Sequence, residues 1–280
     1  MCMYKVGKIV FNIVEMEGNQ SVERLIPFVC NNAEEKEQSY YVYYCLDYNW
    51  MCTQTLLFCN NSIKVYKTDE SYICVYMKNG RAYGAMEEFE THVNVYLLEE
   101  YKKQELHHYF LLDLLHLERA LIKKQSFVLH CSYVAFNNEA ILFTAPSGGG
   151  KTTQANLWVN HKRARIINGD KAIVGYEGGK WLAYGLPISG STSDYLNETH
   201  IIRAIVILEK SLQNQVQQVN ELGFSKIFSE VVMNIWDEGF CEKAMNLVAN
   251  ACSEISVYKF KCKKTEDAVD VLYNELYNEE

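Results

Sequence analysis

Apolar and polar positions change rhythm along the chain, and the first change divides it. Up to about residue 100, apolar and aromatic residues come in short runs. Val6-Gly-Lys-Ile-Val-Phe-Asn-Ile-Val14 opens with an apolar segment. Tyr40-Tyr-Val-Tyr-Tyr-Cys45, Ser62-Ile-Lys-Val-Tyr66, Tyr72-Ile-Cys-Val-Tyr-Met77 and His92-Val-Asn-Val-Tyr-Leu97 are short and rich in β-branched or aromatic residues. Asn60-Asn61, Asp69-Glu-Ser71 and Asn79-Gly80 punctuate them. The pattern predicts a β-rich N-terminal domain over 1–104, arranged as an antiparallel meander. Its tyrosines read as strand residues with one wet edge, ahead of a substrate-facing surface.

From Glu105 to Lys124 the period becomes helical. Phe110, Leu111, Leu114, Leu115, Leu117, Leu121 and Ile122 recur at the spacing of one helix face. Beyond it, Phe127–Ala135 and Ala140–Thr144 read as strands joined by a tight Asn137-Asn138 turn. A helix follows from Thr153, then a short apolar strand, Ala164-Arg-Ile-Ile-Asn-Gly-Asp170, that ends in an acid. Ala172–Glu177 and Lys180–Tyr184 form a hairpin across Gly178-Gly179. Gly185–Ser191 is a bend of small residues. Ile201-Ile-Arg-Ala-Ile-Val-Ile-Leu208 is continuous enough to be a central strand buried on both faces. Helices near Ser225–Ile235 and Glu242–Cys252, a strand near Ile255–Phe260 and a helix over Glu266–Leu276 complete the chain. There is no internal repeat. Strands alternate with helices in the second half, so the fold class is α/β there and α+β overall, with a nucleotide-binding domain over 105–280.

The chemistry concentrates at Ala145-Pro-Ser-Gly-Gly-Gly-Lys-Thr-Thr153, between a strand and a helix. Strand, glycine-rich turn, lysine, hydroxyl and helix are the parts of a phosphate-binding loop, a Walker A P-loop. Gly148, Gly149 and Gly150 let backbone N–H groups curl inward around an anion. The N-terminus of the helix adds positive field. Ser147, Lys151, Thr152 and Thr153 complete the nucleotide-binding set, with Lys151 on the β/γ-phosphates and Thr152 on Mg²⁺. Ala145 stands where the pattern opens with glycine. The plain alternative is a glycine-rich connection between strand and helix.

Two further residues stand close to that loop in the expected topology. Asp170 ends the second apolar strand, where a carboxylate reaches Mg²⁺ or takes a proton from an attacking hydroxyl; against that, Asn-Gly-Asp is also good turn chemistry. His130 lies on the strand hairpinned to the one that feeds the loop, and a structural and a functional role weigh equally there. His107, His108 and His116 lack a paired ligand at i,i+4 with a nearby acid and read as surface or packing residues.

Composition narrows the classes. The chain has 280 residues, 49% of them apolar, and a formal net charge of −8 with no basic block. That argues against a nucleic-acid surface. No apolar run reaches membrane-spanning length, and Met-Cys-Met-Tyr-Lys-Val is not a secretory leader, so a soluble cytoplasmic protein with no membrane partner is expected. None of the 10 cysteines sits in a Cys-x-x-Cys pair. Zinc-ribbon and thioredoxin chemistry, and disulfides, are not expected.

Leu129-His-Cys-Ser-Tyr-Val, Leu142-Phe-Thr-Ala-Pro-Ser-Gly-Gly-Gly-Lys-Thr-Thr-Gln-Ala, Ile167-Asn-Gly-Asp-Lys and Trp181-Leu-Ala-Tyr-Gly-Leu-Pro-Ile-Ser-Gly together resemble the HPr kinase/phosphorylase family. They are most similar to its smaller, HPr-kinase-like relatives of the phosphoenolpyruvate-carboxykinase type. The resemblance covers about residues 127 to 277. It implies a P-loop domain of that type and phosphorylation of a protein serine. It makes Asp170 the second acid of the family's Asp-Asp pair, with the role of general base, and His130 the histidine close to that acid. Thr152 and Asp170 would then hold Mg²⁺, and a homo-oligomer is admitted. Gly169 stands in place of the first acid, and the family's Glu-Ile-Arg-Gly-Leu-Gly segment has no clear match. Both departures count against the reverse, phosphorylase reaction.

The leading expectation is therefore a kinase that uses ATP, with GTP left open, on a serine or threonine hydroxyl of a peptide or small protein. Lys151, Asp170 and His130 are its catalytic candidates. A nucleotide-responsive binding module is the alternative that Gly169 favours. A small-molecule kinase walled by Trp181, Tyr184 and Tyr195 is the third.

Overall fold

The computed structural model describes residues 2–15, 22–31, 37–49, 51–102, 107–190 and 194–277, without the side chains of 107 and 108. Ser191, at the end of the expected bend, lies outside the described residues, as does the start of the expected helix at Glu105. The chain divides into two compact units, Met1–Ala120 and Leu121–Glu280.

The first unit is built on one nine-stranded sheet. Its strands are β1 (Met3–Val6), β2 (Ile9–Glu15), β3 (Val29–Cys30), β4 (Gln38–Cys45), β5 (Thr55–Cys59), β6 (Ile63–Lys67), β7 (Tyr72–Lys78), β8 (Arg81–Glu88) and β9 (His92–Leu98). The order is β3-β1-β2-β4-β9-β8-β7-β6-β5. Strands β5 to β9 do form an antiparallel meander. The rest departs from that expectation, because β4 runs parallel to both neighbours, β2 and β9. The opening apolar segment is two strands, not one. Gly7, at φ +56°, turns β1 back on β2 in the register Val6↔Ile9. The two faces of β4 explain its central place. Tyr40 and Val42 are buried, while Tyr41 and Tyr43 are half-exposed on the other face. Tyr41 and Tyr43, with Ser39, Thr91, His92 and Asn94, line an open cleft of about 440 Å³.

The expected single helix is broken into α1 (His107–Leu114) and α2 (Leu117–Lys123). His116 sits between them at φ +47°, a left-handed conformation that ends α1. The apolar spacing survives the break, so Leu111, Leu114, Leu115, Leu117 and Leu121 are all buried. His116 is buried too, and burial lowers its pKa, which keeps it neutral.

The second unit is a mixed sheet with helices on both faces. Its strands are β10 (Ser126–Phe136), β11 (Glu139–Thr144), β12 (Arg165–Asn168), β13 (Lys171–Glu177), β14 (Lys180–Tyr184), β15 (Thr199–Lys210), β16 (Gln215–Gln218) and β17 (Val257–Cys262). Its helices are α3 (Lys151–Lys162), α4 (Phe224–Phe228), α5 (Glu238–Glu254) and α6 (Glu266–Tyr277). The order is β11-β10-β13-β14-β15-β17-β16, and β11 also pairs with β15, in parallel. Five strands thus close a circuit, with β17 and β16 extending from it.

Alternation along β11 and β15 separates two cores. Leu142, Ile205 and Ile207 face a cluster with Phe240, Ala244 and Val248 of α5. Ile141, Phe143, Ala204 and Val206 face a cluster with Ala155 and Trp158 of α3 and Leu272 of α6. Strand β15 is buried on both faces, as its apolar run requires. Each Ile, Val, Leu or Phe side chain removed from water there contributes about 1.5–3 kcal/mol. The helix expected over 225–235 is only α4; after Phe228 the chain turns back to β10, where Val231 bridges Leu129.

Candidate functional site

Strand β11 delivers the glycine-rich loop at the end of the closed circuit. The Asn137-Asn138 turn that starts β11 has both residues at positive φ, 50° and 61°. Thr144, its last residue, donates its hydroxyl hydrogen to the His130 carbonyl at 3.0 Å. The loop and His130 are therefore held to a common frame.

The loop itself is a tight turn. Gly149 N–H donates to the Pro146 carbonyl at 2.8 Å. Gly148 and Gly150 lie at φ +74° and +106°, where only glycine sits without strain. A Cβ on Gly149 would stand 2.5 Å from the Ala145 Cβ and 2.8 Å from the Pro146 carbonyl oxygen. Ala145 is buried, so the departure from an opening glycine is absorbed into the core and the neighbouring glycine makes room for it. Gly150 caps α3 without a side-chain acceptor on its first amides. Ser147 and Thr152 are exposed and Thr153 is half-buried. Lys151 is buried and donates its ammonium to the Ala145 carbonyl at 2.8 Å, across the turn. Gln154, on the inner face of α3, donates to the Lys263 carbonyl at 3.0 Å and anchors the helix to the chain after β17.

Asp170 follows β12 through an Asn-Gly turn whose chemistry belongs to Asn168. The buried Asn168 Oδ1 accepts the N–H groups of Asp170 and Lys171 at 2.9 and 3.0 Å. Its Nδ2 donates to the Leu186 and Ile188 carbonyls at 3.0 and 2.9 Å. This leaves the Asp170 side chain to point elsewhere. Its Oδ1 stands 3.3 Å from His130 Nε2, and its Oδ2 is 3.0 Å from Lys171 Nζ. A Cβ on Gly190 would come within 2.9 Å of the carboxylate, so glycine there is what lets the strap after β14 close over Asp170.

On its other side, His130 Nδ1 lies 3.1 Å from Glu230 Oε2. The result is a row of alternating charge: Glu230, His130, Asp170, Lys171. The Asp170 contact raises the His130 pKa, opposed by burial and by the positive charge of Lys151 and supported by Glu230. The imidazolium, with Lys171, holds the Asp170 carboxyl far below the usual carboxylate range against the effect of burial. Lys151 thus acts on the imidazole through its field, which places loop and row in one electrostatic environment.

The structure therefore brings His130 and Asp170 into contact beside the loop that carries Ser147, Gly148, Gly149, Gly150, Lys151, Thr152 and Thr153. Glu230 has no signature in the sequence. The sequence placed it inside a helix expected over 225–235, and the structure ends that helix at Phe228. Among the described residues, no group of three or more His, Cys, Asp and Glu side chains is arranged to hold a metal ion. Gly169 contributes only its carbonyl, which accepts from the Ser132 hydroxyl at 3.1 Å. Trp181 and Tyr184 are each 6% exposed. Their polar ends reach Glu254 and Glu177, so they belong to the packed interior.

Neither a family model nor a curated protein matches the chain. Among solved structures, it is similar to the HPr(Ser) kinase/phosphatase from Coxiella burnetii, over 53% of this chain and 94% of that one. The identity is 12% and the TM-score 0.32, a distant likeness.

Proposed function

We propose that the chain is a kinase that transfers a phosphoryl group from ATP, or GTP, to a serine or threonine hydroxyl of a peptide or small protein. The observation that carries this reading is the His130–Asp170 contact in the field of Lys151. The loop fits a polyphosphate: two glycines at positive φ, a third with no room for a Cβ, and a helix start without a side-chain cap. Lys151 would exchange its Ala145 carbonyl for a phosphate oxygen. Thr152, exposed at the first turn of α3, and Asp170 would hold Mg²⁺, which when bound offsets phosphate charge.

Asp170 is a weak base, since His130 and Lys171 stabilise its ionised form. That suits phosphoryl transfer through a loose transition state, in which the attacking hydroxyl keeps its proton until late. Asp170 accepts that hydroxyl hydrogen and orients the oxygen; His130 keeps Asp170 in place and spreads the charge.

Lys151→Ala is expected to abolish transfer and to weaken nucleotide binding in calorimetry. Asp170→Asn is expected to keep binding and to lose about 10²–10⁴-fold in turnover. Full activity of Asp170→Asn with an acceptor would exclude Asp170 as the oriented base.

A nucleotide-responsive binding module is the second reading, favoured by the missing carboxylate at Gly169. Phosphate release, measured with intact-mass analysis of candidate acceptors, separates the two. A +80 Da product supports the kinase; tight nucleotide binding with no release and no product supports the module.

A further inference from the structure

The proposed reaction rests on a histidine that would not hold its orientation alone. His130 is on β10, and its imidazole stands between two carboxylates. Asp170 follows β12 in the sequence, close to the loop. Glu230 comes from the segment after α4, 100 residues away along the chain.

The main chain shows why that segment arrives there. His130 N–H donates to the Glu230 carbonyl at 2.8 Å, and Val232 N–H donates to the Val128 carbonyl at 2.9 Å. Leu129 and Val231 form an antiparallel bridge between these bonds. Residues 230–232 thus add a short rung to the side of β10 at the histidine itself. Val231 joins the core beneath, with Phe228 packed against it. The register leaves no freedom: Glu230 is the residue opposite His130. Its side chain is 11% exposed, so it is largely out of water, with the His130 imidazole as the partner on its carboxylate. A carboxylate kept there costs desolvation free energy that only a specific partner offsets.

We propose that Glu230 is a positioning residue of the phosphotransfer site, accepting the Nδ1 hydrogen of His130 and so fixing the ring with Nε2 toward Asp170. The inference rests on the kinase reading for its catalytic consequence and on the structure for the contact. A carboxylate behind an imidazole sets both ring orientation and which nitrogen faces the reacting group. Without it the ring turns about its Cβ–Cγ bond, Asp170 loses a partner on Oδ1, and Lys171 remains on Oδ2.

The test uses the 280-residue chain with Mg-ATP and water as acceptor. Glu230→Ala should lower the rate constant for ADP formation about tenfold to a hundredfold, with the KM for ATP within about twofold. Glu230→Gln, which keeps an acceptor oxygen, should recover part of the loss. Nitrogen-15 spectra of the imidazoles, recorded without nucleotide, should show the His130 Nδ1–H signal in the wild type, a shifted one in Glu230→Gln and none in Glu230→Ala. Identical His130 signals in wild type and Glu230→Ala would overturn the proposal. So would a turnover loss that Glu230→Gln does not relieve while its melting temperature matches the wild type. A wild type that forms no ADP with water and no +80 Da product with candidate acceptors would sink the kinase reading, and the imidazole signals would still decide whether Glu230 holds the ring.

Discussion

A single glycine sets the distance between strap and carboxylate at Asp170. A methyl group at position 190 would come within 2.9 Å of Asp170 Cγ and Oδ1. Gly190→Ala is therefore expected to displace the carboxylate from His130. Turnover should fall at least tenfold while nucleotide affinity stays near wild type, since the clash falls on the Asp170 carboxylate; calorimetry and ADP formation check the two halves. The charge row makes a second prediction at this scale. His130 has a folded pKa above its unfolded value, so its contribution to stability is complete below about pH 6.5 and is lost as pH rises through the folded pKa. Asp170 has a depressed pKa, so its contribution is present above about pH 4 and is lost on acidification. The two overlap between about pH 4 and the raised His130 pKa. The melting-temperature difference between wild type and His130→Asn should be largest near pH 5.5–6 and shrink toward pH 9. A difference that grows with alkalinity would mean the imidazole is not paired as described.

Elements were legible in the sequence where one period ran unbroken. Strand β15, buried on both faces, and helices α5 and α6 follow directly from their apolar positions. The Asn137-Asn138 and Gly178-Gly179 turns follow from residues that accept positive φ. What was hidden depends on contacts distant in sequence. The break at His116 does not disturb the spacing of buried leucines, so periodicity cannot show it. Parallel pairing of β4 with β2 and β9 looks, residue by residue, like antiparallel pairing, because both give period-two alternation. The helix expected to run on to Ile235 meets β-branched Val231, Val232 and Ile235, and the Glu230 carbonyl and Val232 N–H bond to β10 instead. The loop and Asp170 were visible as local motifs, whereas Glu230 required the register of that rung. At the end of β14 a close approach governs the fold. A Cβ on Gly185 would stand 1.8 Å from the Leu196 carbonyl oxygen, and Gly185 N–H donates to Glu198. Gly185→Ala should cost about 3 kcal/mol or more and lower the thermal midpoint by several degrees. A midpoint within a degree of wild type would show that this strap can yield.

Across the whole molecule, the 10 cysteines are all reduced and divide by burial. Cys2, Cys52 and Cys59 are exposed, while Cys74 in the first unit and Cys131, Cys252 and Cys262 in the second are buried. Burial pushes the Cys252 and Cys262 thiols up to about 11 and Cys74 and Cys131 higher still. A brief pulse of alkylating reagent should label the exposed set in the folded protein. The buried set should react only as its own unit opens in denaturant, which gives each unit a separate chemical reporter. Prompt labelling of Cys131 in native buffer would contradict the packing of β10.

The rung at residues 230–232 has a consequence for how the protein is made. Ribosomes deliver a chain from its N-terminus, and domains organise as they emerge. The glycine loop and its histidine leave the tunnel long before the acid that steadies the ring, and loop closure over that span is slow beside hairpin formation. A polypeptide halted between the glycine loop and Glu230 would carry that loop with an unsteadied imidazole. On the kinase reading, such products would be poor catalysts, and competence would wait until Glu230 has emerged and paired.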